Sequence, residues 1–244
     1  MRYKKIDKIS TGSYDFNTWL HGGYEAGIVT MIAGSPGSGK TNLCILTACS
    51  QAKKNNKVLF VDTESGFSVD RVRQIIGDEY KEVLKNIILL EPKNFEEQKK
   101  IFSKFRERIK KEHFGLIAVD SMAMLYRLEL ADMQKDELKI KELNKEIAKQ
   151  MRVLSEIARD CGIPVIITNQ VYSGFLSEEE LRQGVKKETN IVGGDLFKYW
   201  SKCIIELKHE HGKRKAILLK HRSLPPKEMS FEIKQTGLFK KRWI

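Results

Sequence analysis

The chain has 244 residues, of which 41% are hydrophobic and 31% are charged, so it is long enough for one large domain with a sizeable core. This composition excludes a disordered chain, and no apolar run reaches the roughly 18–20 residues of a membrane-spanning helix. The formal net charge is +12, and residues 197–244 hold 13 Lys and Arg against 4 Asp and Glu. This basic segment indicates affinity for a polyanion such as nucleic acid, although a lysine-rich solvated surface would give the same composition.

The N-terminus, Met-Arg-Tyr-Lys-Lys, is not followed by the apolar stretch of a signal peptide. The four cysteines have no CxxC spacing, so we expect them to be reduced and mostly buried rather than part of a metal or redox site. Together these features predict a cytoplasmic protein with no membrane association.

Apolar runs of strand length recur along the chain and alternate with helical stretches. They lie at residues 28–33, 58–61, 87–90, 116–119 and 163–168. Continuous apolar runs are typical of parallel strands that are buried on both faces, and the intervening helices indicate βαβ crossovers.

The second half of the chain adds a long helix and shorter strands. Apolar residues recur every three or four positions over 138–158, which predicts an amphipathic helix that stops near Pro164. Residues 173–194 are polar and predict a long loop, and the short runs 203–207 and 216–219 predict hairpins that continue the sheet. We therefore expect an α/β fold with a mostly parallel central sheet flanked by helices and with C-terminal antiparallel strands.

The segment GSPGSGKT fits the P-loop pattern GxxxxGK[ST] at every position and stands between a predicted strand and a predicted helix. Its backbone N–H groups would surround the phosphates, the lysine would reach the β- and γ-phosphates, and the threonine hydroxyl would bind Mg²⁺. The sequence thus predicts a site for ATP and Mg²⁺ made of Gly34, Ser35, Pro36, Gly37, Ser38, Gly39, Lys40 and Thr41.

Three further strand ends supply polar groups that this chemistry needs. Asp120 directly follows the apolar run 116–119, and from this position its carboxylate can hold a water molecule that is bound to Mg²⁺. Glu64 follows the run 58–61 and is our candidate for orienting the attacking water, with Asp62 as the competitor nearer the strand body. Gln170 follows the run 163–168 and would sense the γ-phosphate, unless it only caps the strand.

This order of motifs resembles the RecA-type recombinases, and in particular their archaeal and eukaryotic branch. The resemblance rests on ISTGS at 9–13, DTE at 62–64, VDS at 119–121, LYR at 125–127, ITNQV at 167–171 and the glycine pair at 193–194. Full recombinases of this family carry an N-terminal DNA-binding domain and a polymerisation motif. This chain starts at the ATPase core and so resembles the RadB group of short archaeal paralogues, which leads us to expect residues 1–244 to be a single RecA-like ATPase domain.

The resemblance implies weak ATPase activity, a role in homologous recombination and repair, and sequence-independent DNA binding. The DNA-binding loops would be 126–139 and 172–190, in addition to the basic C-terminal segment. The first loop is nearly charge-balanced, and the second mixes Lys and Arg with four Glu. Possible partners implied by the resemblance are a RadA-type recombinase and a Holliday-junction nuclease, and the chain could form a homo-oligomer.

The resemblance also implies roles for three outlying basic residues. Arg71 could stack on adenine. Lys220 and Arg222 would project together from a strand and reach the γ-phosphate of a neighbouring subunit, or else belong to a basic DNA-facing surface. Two other functions stay open at this point: a partner-binding module that ATP regulates, and a ring ATPase of the KaiC or DnaB kind.

Overall fold

A computed structural model describes residues 7–133, 136–173 and 189–241. Within these ranges the strands are β1 (Lys8–Ile9), β2 (Tyr24–Glu25), β3 (Val29–Gly34), β4 (Lys57–Asp62), β5 (Ile87–Leu90), β6 (Phe114–Asp120), β7 (Val165–Ser173), β8 (Thr189–Ile191), β9 (Cys203–Glu210), β10 (Lys213–Lys220), β11 (Lys227–Lys234) and β12 (Gly237–Lys240). The α-helices are α1 (Tyr14–Trp19), α2 (Lys40–Ala52), α3 (Val69–Ile76), α4 (Tyr80–Lys85), α5 (Phe95–Ser103), α6 (Phe105–Lys111), α7 (Met124–Asp132), α8 (Glu137–Cys161) and α9 (Gly194–Trp200), and a 3₁₀ turn spans Gly77–Glu79.

The main sheet has the strand order β12-β11-β10-β9-β3-β7-β6-β4-β5, with β8 paired to the end of β7. From β9 to β5 every neighbouring pair is parallel, whereas β9, β10, β11 and β12 are joined by antiparallel pairs. The expected mostly parallel sheet with C-terminal antiparallel strands is therefore confirmed. The five apolar runs of the sequence form β3, β4, β5, β6 and β7, and the two later runs form β9 and β10.

Helices cover both faces of this sheet, and each face has its own core. One core packs α1, α2, α3 and α4 against β3, β4 and β9 to β12, with Phe16, Phe60 and Phe231 fully buried. The other packs α5 to α9 against the opposite face, with Phe105, Phe114 and Phe197 fully buried. Because both faces are covered, the central strands are apolar at consecutive positions, as parallel sheets require.

Helix α8 forms as its periodicity predicts. Its apolar residues lie along one face of the helix and are buried in the core that contains α5 to α9; they include Leu143, Ile147, Met151 and Leu154. Asp136 caps its start, and Gly162 ends it in the left-handed conformation with φ of 66°. Among the described residues, no helix is long and apolar enough to cross a membrane.

The expectation of a loop at 126–139 is wrong for most of its length, since residues 126–132 belong to α7 and residues 137–139 to α8. Leu125 and Tyr126 hold α7 on the second core, and this burial outweighs the weak periodicity of the segment. Of the loop expected at 172–190, residues 174–188 lie outside the described ranges, whereas residues 172–173 and 189–190 are not loop but paired antiparallel strand, in β7 and β8. The four cysteines are all free thiols; Cys44, Cys49 and Cys203 are buried and Cys161 is exposed.

Candidate nucleotide-binding site

The predicted site residues meet at one edge of the sheet, where β3, β4 and β6 end and where the parallel pairing of β7 ends at Gln170. In the order β4-β6-β7-β3 these strands lead to Glu64, Asp120, Gln170 and the phosphate loop. The register aligns Asp62 with Asp120, and Gly34 with Gln170. Carboxyl ends of parallel strands are where α/β proteins bind ligands, so the strand order alone assembles this site.

Close packing of the phosphate loop leaves no room for a side chain at Gly34 and Gly39. A Cβ on Gly34 would lie 2.5 Å from the backbone oxygen of Leu207 and equally close to Ser38 Oγ. Gly39 has φ of 111°, and a Cβ there would lie 2.9 Å from Ile233 Cδ1 on β11. The tip of the loop, Pro36 and Gly37, is exposed, whereas Ser38 to Lys40 are buried at the start of α2. The loop therefore presents backbone N–H groups and the positive end of α2 to one concave surface.

Lys40 folds back over the loop. Its Nζ donates hydrogen bonds of 2.8 Å to Gly34 O and 3.0 Å to Ser35 O, and the side chain is almost completely buried. Burial lowers the pKa of the Lys40 ammonium, and the nearby carboxylates of Glu64 and Asp120 partly offset this shift. The ammonium is thus held at the loop by carbonyl oxygens that phosphate oxygens could replace.

Asp120 is buried at the end of β6, with 1% of its surface exposed. Its Oδ1 accepts a 2.5 Å hydrogen bond from Thr168 Oγ1, whereas its Oδ2 is buried without a hydrogen-bond partner among the described residues. Burial raises the pKa of Asp120; the hydrogen bond from Thr168 and the nearby Thr41 hydroxyl oppose the rise, and the carboxylates of Glu64 and Asp62 add to it. A buried, partly unpaired carboxylate beside two other carboxylates has the electrostatics of a cation site.

The donor set fits Mg²⁺ bound with a triphosphate. Gly66 lies beside both groups, because a Cβ there would be 3.5 Å from Thr41 Oγ1 and 3.9 Å from Asp120 Oδ2. Mg²⁺ prefers oxygen ligands and usually takes one or two from the protein and the remainder from phosphates and water. Thr41 and Asp120 are the residues that would hold it here.

The structure separates the roles of Asp62, the last residue of β4, and Glu64, which follows the strand. Asp62 is buried and accepts hydrogen bonds of 3.1, 3.1 and 2.7 Å from the backbone N–H groups of Glu64, Gly66 and Phe67. Its carboxylate therefore shapes the turn after the strand. Glu64 is exposed at the mouth of the site, which leaves it available to orient a water.

The Gln170 side chain contacts both Glu64 and Arg127, and Arg127 was not among the predicted site residues. Gln170 Nε2 donates a 3.1 Å hydrogen bond to Glu64 Oε1, and Gln170 Oε1 accepts one of 2.9 Å from Arg127 Nη1. The sequence contains Arg127 in the LYR motif, yet nothing in the spacing indicates that it reaches β7. Thr168 was also missed, although its position two residues before Gln170 on β7 places its side chain on the same face of the strand.

Arg71 lies on α3 and is anchored to the turn between β11 and β12. Its two Nη atoms donate hydrogen bonds of 2.8 Å to Gln235 O and 2.9 Å to Lys234 O. Ile233 on the same strand approaches Gly39 of the phosphate loop. The contact of Arg71 with adenine stays a prediction.

Lys220 and Arg222 do not join the site of their own chain. Lys220 is aligned with Ile204, near the start of β9. Gly34 of the phosphate loop is aligned with Leu207, three residues further along β9, so the two positions are offset along the sheet. The expectation that the two side chains project together does not hold, because β10 ends at Lys220. Lys220 Nζ donates a 2.7 Å hydrogen bond to a backbone oxygen of α9, and Arg222 Nε donates one of 2.5 Å to the buried carboxylate of Glu25. A role in a neighbouring subunit's site stays a prediction.

Comparison with known proteins agrees with this geometry. A family model described as Rad51 matches residues 2–241. The chain is 40% identical over 236 residues to a DNA repair and recombination protein RadB of Methanobrevibacter smithii, covering 95% of each chain. It is 35% identical over 223 residues to the protein of the same name from Methanosphaera stadtmanae, covering 90% of each chain. It is also 39% identical over 219 residues to the one from Methanocaldococcus jannaschii, covering 90% of this chain and 96% of that protein.

Proposed function

The chain belongs to the Rad51 family, and from this we propose that it is an ATP- and DNA-binding accessory protein of homologous recombination and repair with weak ATPase activity. The printed names of its relatives, which describe DNA repair and recombination proteins, support the biological role. ATP binding and hydrolysis are supported by one observation: the phosphate loop, Asp120, Glu64 and Gln170 lie together at one edge of the sheet.

Each of these groups has its own proposed role in binding or hydrolysing ATP. Backbone N–H groups of the loop and Lys40 hold the β- and γ-phosphates, while Thr41 and Asp120 hold Mg²⁺, which when bound neutralises phosphate charge. Glu64 orients the attacking water, and Gln170 contacts the γ-phosphate. Removing Glu64 should therefore affect turnover more than affinity, because only the transition state uses the oriented water.

DNA binding is proposed for the basic C-terminal part of the chain, which forms α9 and β9 to β12. Lys202, Lys213, Lys240 and Lys241 are exposed there, and exposed positive charges attract a polyanion through phosphate contacts without reading sequence. Membership of the family suggests residues 126–139 and 172–190 as further DNA contacts. A RadA-type recombinase and a junction-processing nuclease are the protein partners that the family suggests.

The experiment that tests this proposal measures ATP hydrolysis and mass in solution, each with and without single-stranded DNA. We expect slow, Mg²⁺-dependent hydrolysis that is lost in Lys40→Ala, and a complex with DNA that dissociates as salt is raised. If the wild type binds neither ATP with Mg²⁺ nor DNA, the proposal is wrong. If ATP binds but DNA does not, the chain acts instead as a partner-binding module that ATP regulates.

A further inference from the structure

The Gln170 side chain is held between two groups of opposite charge. Arg127 donates to its amide oxygen at 2.9 Å, and Glu64 accepts from its amide nitrogen at 3.1 Å. A guanidinium can only donate hydrogen bonds, and an ionised carboxylate can only accept them. The two contacts therefore select one of the two orientations of the amide, since the reverse orientation would place donor against donor and acceptor against acceptor.

We propose that Arg127 is a positioning residue for hydrolysis, which acts by fixing the Gln170 amide nitrogen toward Glu64 and the phosphate loop. This inference rests on the proposed ATPase function of the same site. In the selected orientation one N–H of Gln170 holds the Glu64 carboxylate and the second is free to meet the γ-phosphate. Arg127 thereby sets the direction of both groups without touching the nucleotide itself.

Both ends of this contact are rigidly supported. Arg127 lies on α7 between the buried residue Tyr126 and the exposed Leu128, and the Tyr126 hydroxyl donates a 2.6 Å hydrogen bond to Asn144 of α8. On the other side, the Gln170 carbonyl accepts a 3.0 Å hydrogen bond from Val192 N. These contacts help to hold the two backbones in place, and the Arg127 and Glu64 contacts then decide the orientation of the amide.

The chemical consequence is confined to steps that use the γ-phosphate. The loop and Lys40 bind the β-phosphate whichever way the amide points, so affinity for ADP should change little. The amide meets only the γ-phosphate, so its orientation should affect turnover and the preference for ATP over ADP. The expected loss of about tenfold in rate corresponds to about 1.4 kcal/mol of transition-state stabilisation.

The test compares steady-state hydrolysis by variants at Arg127. Arg127→Met is expected to lower kcat about tenfold with KM for ATP within about twofold of wild type, while Arg127→Lys, which keeps a cationic donor, should lose less than about threefold. The double variant Arg127→Met with Gln170→Ala should be no slower than Gln170→Ala alone, because Arg127 acts through Gln170. Arg152→Met removes a matched exposed arginine from α8 and should retain wild-type kinetics.

A second measurement does not depend on turnover. The ratio of the dissociation constants for ADP and for a non-hydrolysable ATP analogue, both with Mg²⁺, should move toward unity in Arg127→Met but not in Arg152→Met. The proposal is overturned if Arg127→Met keeps both the wild-type kcat and the wild-type ratio, or if the losses in the double variant multiply. A wild-type protein that binds no ATP analogue, or a Lys40→Ala variant that hydrolyses normally, would instead overturn the proposed function and this inference with it.

Discussion

Replacing Asp120 by Asn should stabilise the nucleotide-free protein while removing its response to Mg²⁺ and ATP. The side chain is 1% exposed, and burial together with the neighbouring Asp62 and Glu64 carboxylates raises its pKa. Asn keeps the oxygen that accepts the hydrogen bond from Thr168 but carries no charge. The same change takes away one of the two side chains proposed to hold Mg²⁺, so stability and ligand response should move in opposite directions.

The sign of the stability change follows from proton linkage. An acid whose pKa is raised by folding costs stability once the pH exceeds its unfolded value of about 3.9, and the cost is complete above the folded pKa. The gain from Asp120→Asn should therefore be present at pH 7 and should vanish at low pH, where the acid is protonated in both states; each unit by which folding raises a pKa corresponds to about 1.4 kcal/mol. For a chain of this size, about 1 kcal/mol corresponds to roughly 2–4 °C in Tm.

Thermal unfolding measures both effects in one experiment. The wild type should gain about 2.7 kcal/mol, or roughly 5–10 °C, with ATP and Mg²⁺ at a hundredfold excess over Kd, and Asp120→Asn should lose most of this gain. Asp160→Asn, at an exposed position of α8, is the control and should behave as wild type. An Asp120→Asn variant that is less stable at pH 7 than the wild type, or that keeps the full response to Mg²⁺ and ATP, would refute the reasoning.

Three further predictions concern the base, the DNA surface and the phosphate loop. Glu64→Gln should abolish turnover in a phosphate-release assay while leaving ATP binding intact, and loss of binding would show that its assigned role is wrong. If about five phosphates are neutralised, the logarithm of DNA affinity should fall with the logarithm of salt at a slope near −4 to −5, whereas a slope near zero would exclude the electrostatic surface. Gly39→Val should weaken ATP binding measured by calorimetry, because φ of 111° and Ile233 leave no room for a side chain; unchanged affinity would contradict the packing.

The sequence predicted the parts of the site that follow directly from strand ends. Asp120 and Gln170 lie where the ends of two apolar runs place them, and the phosphate loop follows from its glycine and lysine spacing. Burial also separates Asp62 from Glu64, as their positions relative to the strand body suggested. These features depend on local pattern and on the rule that parallel strands end at one edge.

Features that depend on the path of the chain in space were not predictable. Helix α7 was expected as a loop because its burial comes from packing on α5 and α8, which a single segment does not reveal. The contact of Arg127 with Gln170 joins residues 43 positions apart, and that of Arg222 with Glu25 joins residues 197 apart. Strand β10 ends at Lys220, so Lys220 and Arg222 bond to different partners, and the sequence pattern did not indicate where the strand ends.

Calorimetric titration of the full chain shows whether this edge of the sheet binds ATP with Mg²⁺. ATP with Mg²⁺ should bind the wild type at one site per chain, with affinity falling when Mg²⁺ is removed and falling further in Lys40→Ala. Equal affinity in the wild type and Lys40→Ala, or no binding to either, would contradict the account.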